Sequence, residues 1–217
     1  TRGTPACSEP PEEVVHPCGQ RRRLIFESTR FRLQLRSPLD TTRRFCVVPA
    51  VSAHSQLTVI ASGLIGGSVA RAARVRGVAK RIVLWTRRPE ARLGLSQQPW
   101  CDAVADSPEA AVKDATMVVL AAPVDQIIPL LKQIAPALAA GTHVTDVGSV
   151  KGDISRLGAS ALGARAHFIG AHPMAGSEKT GWEHGSASLF EKRTCFVTPL
   201  PESAPAAVQT VAAFWQA

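Results

Sequence analysis

Residues 57–217 predict an α/β protein built on a doubly wound, mostly parallel sheet. Three observations carry that expectation. Short runs rich in β-branched residues alternate with segments of helical period. A glycine cluster stands between the first such run and the first helix. Strands that alternate with helices demand a parallel sheet covered on both faces. At 45% hydrophobic and 19% charged residues, the 217-residue chain has the balance of a globular protein with one sizeable core plus an appendage.

The first element pair is LTVIASGLIGGSVAR, Leu57 to Arg71. Leu57, Thr58, Val59 and Ile60 read as a strand, and Ile65, Val69, Ala72 and Ala73 follow at helical spacing. A tight turn between them aims the free N–H groups of a helix N-terminus at a backbone without side chains, which suits a pyrophosphate. The spacing is G-x-G-x-x-G with Ala61 in the first place, then Gly63 and Gly66. Gly63, Leu64, Ile65 and Gly66 are therefore the expected phosphate cradle. A turn that merely packs a helix on a sheet is the competing reading, and the methyl of Ala61 speaks for it.

Gly77 is placed to end this helix. Arg81 to Thr86 form the second strand, and Ser107-Pro108-Glu109 open a short helix with an N-cap hydroxyl, a first-turn Pro and an acid. Thr116 to Ala121 is a buried strand, and Val124, Ile127, Ile128, Leu131, Ala135 and Leu138 share one helical face that Pro129 and Pro136 should kink. Thr142 to Val147, His167 to Ala171 and Arg193 to Thr198 read as further strands. A helical piece spans Asp153 to Leu162, and Ser203 to Ala217 begins another.

Residues 1–56 differ from the rest. They hold Arg21, Arg22, Arg23, Arg30, Arg32, Arg36, Arg43 and Arg44, no lysine, several prolines and no sustained period, and the chain does not begin with Met. A targeting segment, a disordered basic tail and sequence upstream of the true start are the three readings. Glu9, Glu12, Glu13 and Glu27 make the segment too acidic for a transit peptide and favour the last two.

Function resides at the carboxyl ends of the strands, where ligands bind in such a sheet. About 20 residues after the glycines an acid would accept the ribose 2′-OH of NAD, whereas Arg accommodates the 2′-phosphate of NADP. Thr86, Arg87 and Arg88 occupy that place, so NADP is preferred over NAD. Ala122 and Pro123 end the next strand and complete the expected cofactor pocket. Asp146 to Lys151 and Ala171 to Gly181 form the two following loops. His172 ends a strand before a Gly-rich loop and could reach Ser149 at a neighbouring strand end. Imidazole can take a hydroxyl proton near neutral pH, the need of an alcohol oxidation by a nicotinamide; a structural histidine is the alternative.

A formal net charge of +8 raises nucleic acid as a partner, but the basic residues are dispersed, Tyr is absent, and an anionic small molecule explains the sign as well. No run of about 18 apolar residues suggests a membrane span. Cys7, Cys18, Cys46, Cys101 and Cys195 lack metal-ligand or disulfide spacing, so no metal is expected and a reducing, cytoplasmic compartment fits.

GLIGGS at 63–68, DVGSVKG at 146–152 and GAHPMAGSEKTGWEHGSASLF at 170–190 resemble the prephenate dehydrogenase family, which includes arogenate and cyclohexadienyl dehydrogenases of tyrosine biosynthesis. The resemblance spans about residues 57–217 and implies a Rossmann-like fold and oxidative decarboxylation of prephenate or arogenate with hydride transfer to NAD(P). It implies that His172 bonds the substrate C4 hydroxyl, that Ser149 bonds this histidine near the nicotinamide, and that Glu178 shapes the substrate entrance. Ser177, uncharged and near the ring, leans towards prephenate. It further implies a homodimer completed by a C-terminal helical domain that is largely absent here. The expected division is 1–56 a disordered or extraneous segment, 57–202 the dinucleotide-binding catalytic domain and 203–217 the start of a truncated dimerisation domain. The apolar face of that last helix, with Val211, Phe214 and Trp215, should then lie uncovered. A nucleotide-binding module without turnover and a hydroxy-acid reductase on the same fold are the rival readings.

Overall fold

The computed structural model describes residues 54–217 and, for the backbone alone, the strand at 24–26. Apart from that strand and from residues 54–56, the expectations for residues 1–56 lie outside the described residues. Strand β1 (Leu24–Phe26) is followed by β2 (His54–Ile60), α1 (Leu64–Arg76), β3 (Ala79–Trp85), α2 (Pro89–Ser96), β4 (Ala103–Val104), α3 (Pro108–Val112) and β5 (Met117–Leu120). Then come α4 (Val124–Ile134), β6 (His143–Asp146), α5 (Gly152–Leu162), β7 (His167–Phe168), β8 (Gly170–Pro173), β9 (Cys195–Thr198) and α6 (Pro205–Gln216).

Six strands form one wholly parallel sheet in the order β4-β3-β2-β5-β6-β7. The order reverses between β2 and β5, and sheets of this kind bind ligands at such a switch point, beyond the carboxyl ends of the strands. Side-chain alternation builds two core layers. Leu57, Val59, Met117 and Val119 point to one face and meet Val69, Ala70 and Ala73 of α1 and Val211 and Phe214 of α6. Ile60, Val118, Leu120 and Val144 point to the other and meet Val112 of α3, Ile127, Leu131 and Ile134 of α4 and Ile154 of α5. Each such fully buried aliphatic side chain contributes roughly 1.5–3 kcal/mol. Thr58 is buried on this second face and is satisfied by donating to the Ala111 carbonyl at 2.8 Å.

Four expectations are corrected. The first strand begins at His54, three residues early, and α2 and β4 fall where no element was expected. The run from His167 to Ala171 is not one strand: it breaks at Ile169 into β7, parallel to β6, and β8, which leaves the main sheet. β9 joins β8 and β1 in a small antiparallel sheet rather than extending the parallel one. Finally, α6 is not an uncovered helix, because Val211 is fully buried and Phe214 retains only 7% exposure against the same core as β2 and α1. Pro129 lies inside α4, as expected, on its exposed side, where its missing N–H costs least.

Candidate active site

The glycine turn connects the central strand to α1. Ala61 takes a left-handed φ of 67°, a conformation that favours glycine and costs a residue with a Cβ about 1–2 kcal/mol. The turn is tied to the neighbouring strand end, since the Trp85 carbonyl accepts from the amides of Ala61 (2.8 Å) and Ser62 (3.3 Å). At Gly63 a Cβ would meet nothing within 4 Å, so this backbone faces open space. At Gly66 a Cβ would stand 3.0 Å from the Ala61 carbonyl and 3.1 Å from Val59 and Ala121, so this glycine lets α1 pack tightly on the sheet. No side chain caps α1 and no acid stands in its first turn, which leaves its positive end free for an anion. Open approach at the second glycine and close packing at the third are what a pyrophosphate cradle needs. Ala61 keeps the shape of the missing first glycine at a cost in strain.

Thr86 is half-buried and Arg87 and Arg88 are exposed just beyond the end of β3. Arg88 is the N-cap of α2, and Arg92 in that helix reaches back to the Arg87 carbonyl at 3.5 Å and to the Asp106 carbonyl at 2.8 Å. Ala122 and Pro123 close β5, with Pro123 the N-cap of α4.

At the end of β6 lies a group the sequence reading placed in a loop without giving it a role. Asp146 is fully buried and forms an ion pair with Lys151, and its carboxylate also accepts from the amides of Gly148 (2.9 Å) and Ala171 (3.3 Å). The Lys151 ammonium donates in turn to the Ala171 carbonyl at 2.7 Å. Both polar groups of the residue before His172 are therefore fixed by one ion pair. A Cβ on Gly148 would come within 2.9 Å of Ile127 and 3.0 Å of the Asp146 carboxylate, so the turn between them admits only glycine without rearrangement. The signal available in the sequence was an aspartate at the end of a short strand, with a lysine five residues on. Burial raises the Asp146 carboxyl and lowers the Lys151 ammonium, and their mutual attraction opposes both shifts.

His172 follows on β8, half-buried, its imidazole held below the ordinary histidine range first by burial and then by the nearby Lys151 ammonium. It is therefore neutral at pH 7 and able to accept a proton. Ser149 is exposed in the β6–α5 loop, on the same edge of the molecule, and no hydrogen bond joins it to His172. Ser177 and Glu178 lie exposed on the loop after β8, where the Ser177 hydroxyl accepts from the Lys179 amide at 3.3 Å. Cys195, buried across the hairpin from Pro173, is pushed up to about 12 by burial and is no thiolate nucleophile. Among the described residues no group of three or more metal-ligating side chains assembles, and no helix is long and apolar enough to cross a membrane.

The glycine turn, the arginine pair and the neutral imidazole thus each lie just beyond the carboxyl end of a strand of the parallel sheet, those of β2, β3 and β7. Comparison with known proteins meets that arrangement. The prephenate dehydrogenase nucleotide-binding domain family matches residues 69–217. Prephenate dehydrogenase of Bacillus subtilis is 36% identical over 138 residues, 63% of this chain and 37% of that protein. Among solved structures, prephenate dehydrogenase of Aquifex aeolicus, in complex with hydroxyphenyl propionate and NAD+, superposes with a TM-score of 0.68 at 28% identity, covering 75% of this chain and 56% of that one. Synechocystis arogenate dehydrogenase gives a TM-score of 0.67 at 25% identity, covering 73% and 55%. The chain thus spans between about a third and just over half the length of these relatives. With the family match covering well over half of the chain, from Val69 to its last residue, the chain belongs to the prephenate dehydrogenase family.

Proposed function

We propose that this chain carries the dinucleotide-binding and base-bearing part of an enzyme that oxidatively decarboxylates prephenate or arogenate, passing a hydride to NAD(P). The observation that carries the reading is the ion-paired clamp of Asp146 and Lys151 on Ala171, which fixes the backbone beside a neutral, half-buried His172. A residue that only filled the core would need neither the half-exposed setting nor the two-sided clamp.

The cradle residues Gly63, Leu64, Ile65 and Gly66 would hold the pyrophosphate, and Ala122, Pro123 and Ser149 would line the path towards the ring. Arg87 and Arg88 would engage a 2′-phosphate, which makes NADP the preferred dinucleotide. Bound there, the oxidised nicotinamide supplies the hydride acceptor. His172 takes the proton of the substrate C4 hydroxyl as hydride leaves the same carbon. The ketone so formed draws in the electron pair of the ring carboxylate bond, carbon dioxide departs, and the ring becomes aromatic. Ser149 orients the imidazole or the hydroxyl, and Ser177 and Glu178 shape the entrance. The protein's share is alignment and one base, with the difficult chemistry left to the cofactor. Domain limits at 57–202 and 203–217, a cytoplasmic homodimer as the working assembly and a small-molecule rather than nucleic-acid or membrane partner belong to the same reading.

The test is His172→Asn in the complete enzyme. We expect kcat to fall by about 10²-fold or more, the scale of general acid-base groups, with dinucleotide affinity unchanged. A variant that keeps its rate and its pH profile removes His172 from the chemistry.

A further inference from the structure

The second half of the motif at 170–190, from Gly181 to Phe190, has no role in the reading above, yet it makes some of the closest packing in the molecule. Between β8 and β9 the chain leaves the hairpin and runs as a strap along α1, the helix whose N-terminus forms the cradle. At the start of the strap, Gly176 takes a φ of 155° and lies within 3.7 Å, measured from a Cβ placed on it, of the Ile65 side chain in the glycine turn. Trp182 then lies so close to α1 that a Cβ on Gly67 would stand 3.1 Å from the Trp182 Cβ and 3.3 Å from its Cα. Its indole reaches α2, where a Cβ on Gly94 would come within 2.8 Å of the ring. The ring meets Trp100 at 6.2 Å between centroids.

Polar contacts fix the same segment. Arg71 of α1 donates to the Trp182 carbonyl at 3.4 Å, and its guanidinium sits 4.8 Å from the centre of the Trp100 ring. The Ser68 hydroxyl donates to the Leu64 carbonyl at 2.7 Å and accepts from the Ser186 amide at 3.0 Å, so the first turn of α1 and the strap share one hydroxyl. A Cβ on Gly185 would stand 3.1 Å from the Ser68 amide, and Glu191 closes the strap on Arg76 at 3.0 Å. Gly67, Ser68 and Gly185 are thus small because two backbones must touch there.

We propose that Trp182 is a positioning residue that makes the cradle and the substrate loop a single body: an anion seated on the amides of Leu64 to Gly66 stiffens the first turn of α1 and, through Ser68 and Trp182, orders Ser177 to Thr180. This inference rests on the dinucleotide reading of the glycine turn. It assigns a task to residues that touch neither ligand, and it implies that dinucleotide must bind first for the loop beside His172 to take its working shape.

The test is amide hydrogen exchange of the chain with and without NADP+ and NAD+, in wild type, Trp182→Ala, Trp182→Phe and Ser68→Ala, with thermal midpoints measured alongside. In the wild type, dinucleotide should slow exchange both at Leu64 to Gly66 and at Ser177 to Thr180. In Trp182→Ala the cradle should remain protected while protection at 177–180 falls at least tenfold; Phe should restore part of it. Ser68→Ala loses one shared hydroxyl and should show a weaker form of the same split, which keeps the test decisive if Trp182→Ala does not fold. Protection at 177–180 that survives in the variants, or that never responds to dinucleotide while the cradle does, overturns the coupling. Absence of protection at the cradle in the wild type overturns the dinucleotide reading and the coupling with it.

Discussion

Replacing Lys151 with Met removes the ammonium while keeping most of the stem, and it leaves the fully buried Asp146 carboxylate with only the amides of Gly148 and Ala171. Breaking one side of a buried ion pair costs roughly 3–5 kcal/mol. The Lys151 side chain retains 14% exposure, so water can reach the vacated end, and about 3 kcal/mol is the expected loss. That is roughly a hundredfold in the unfolding constant. The loss must depend on pH. Burial already holds the folded Asp146 carboxyl above its ordinary 3.8, and without the ammonium it rises further. A carboxyl raised on folding binds extra protons in the folded state, so its contribution falls as pH rises through the window between the two values. The window reaches higher in the variant, so the gap from wild type is widest at about pH 8 and narrows towards about pH 5. Urea unfolding at both pH values measures it. Asp146→Asn combined with Lys151→Met should recover most of the loss, since no buried charge is then left alone. A gap that is the same at both pH values, or smaller than about 1 kcal/mol, would refute the account of a buried, mutually dependent pair. The same variant should lift the His172 pKa, because the ammonium is one of the two influences that lower it.

Three further outcomes are expected. Ala61→Gly relieves about 1–2 kcal/mol of left-handed strain and loses about 0.4–1 kcal/mol through a freer unfolded chain; chemical denaturation should show a net gain, and a loss would mean the turn is not strained. Arg87→Ala with Arg88→Ala should weaken NADP by tenfold or more in a binding titration, each charge-assisted bond being worth roughly 1.5–3 kcal/mol, and leave NAD nearly unaffected; equal losses would take the 2′-phosphate away from these residues. His54 and His143 are both held below 6.5, chiefly by burial, and the His143 ring lies 5.5 Å from that of His167 on the neighbouring strand. Their folded forms therefore bind fewer protons than the unfolded chain, and stability present above about pH 6.5 is lost as the pH falls through the depressed values. The thermal midpoint should drop on acidification, and less so in His143→Gln.

What the sequence disclosed, and what it hid, follows from the range of the interactions. The glycine turn, the C-cap at Gly77, which takes a left-handed φ of 64°, and the N-cap at Ser107, which accepts from the Ala110 amide at 3.1 Å, are settled by neighbours in the chain and were legible. β4 is two residues long and joins the sheet only because β3 offers an edge, so no local pattern marks it. The break at Ile169 is invisible in the apolar run HFIGA. There the chain changes partner from β6 to β9, and at Gly170 a Cβ would stand 2.8 Å from the Ser155 hydroxyl and 2.9 Å from that of Thr198, both remote in sequence. Likewise the burial of α6 depends on a sheet face already bearing α1, which periodicity cannot report. In the candidate site, His172, Ser149 and the two arginines are marked by position and chemistry, while the hydrogen bond expected between His172 and Ser149 is not formed. The clamp of Asp146 and Lys151 is not so marked, because a buried charge pair exists only once the loop has closed.

The departure of β8 from the main sheet has a consequence for how the molecule opens. The glycine turn follows β2, an inner strand of the six, and its loss requires the sheet to come apart around it. His172 sits on a short antiparallel hairpin at one border, beyond a β7 that pairs with β6 through only two residues. The hairpin is nonetheless held from within, because Ile169, Ala171, Cys195 and Val197 share the buried core of β2 and α1. An excursion that frees His172 from that border therefore loosens the packing under the glycine turn as well, and in a denaturant titration protection of the Ala171 amide and of the α1 amides should be lost together.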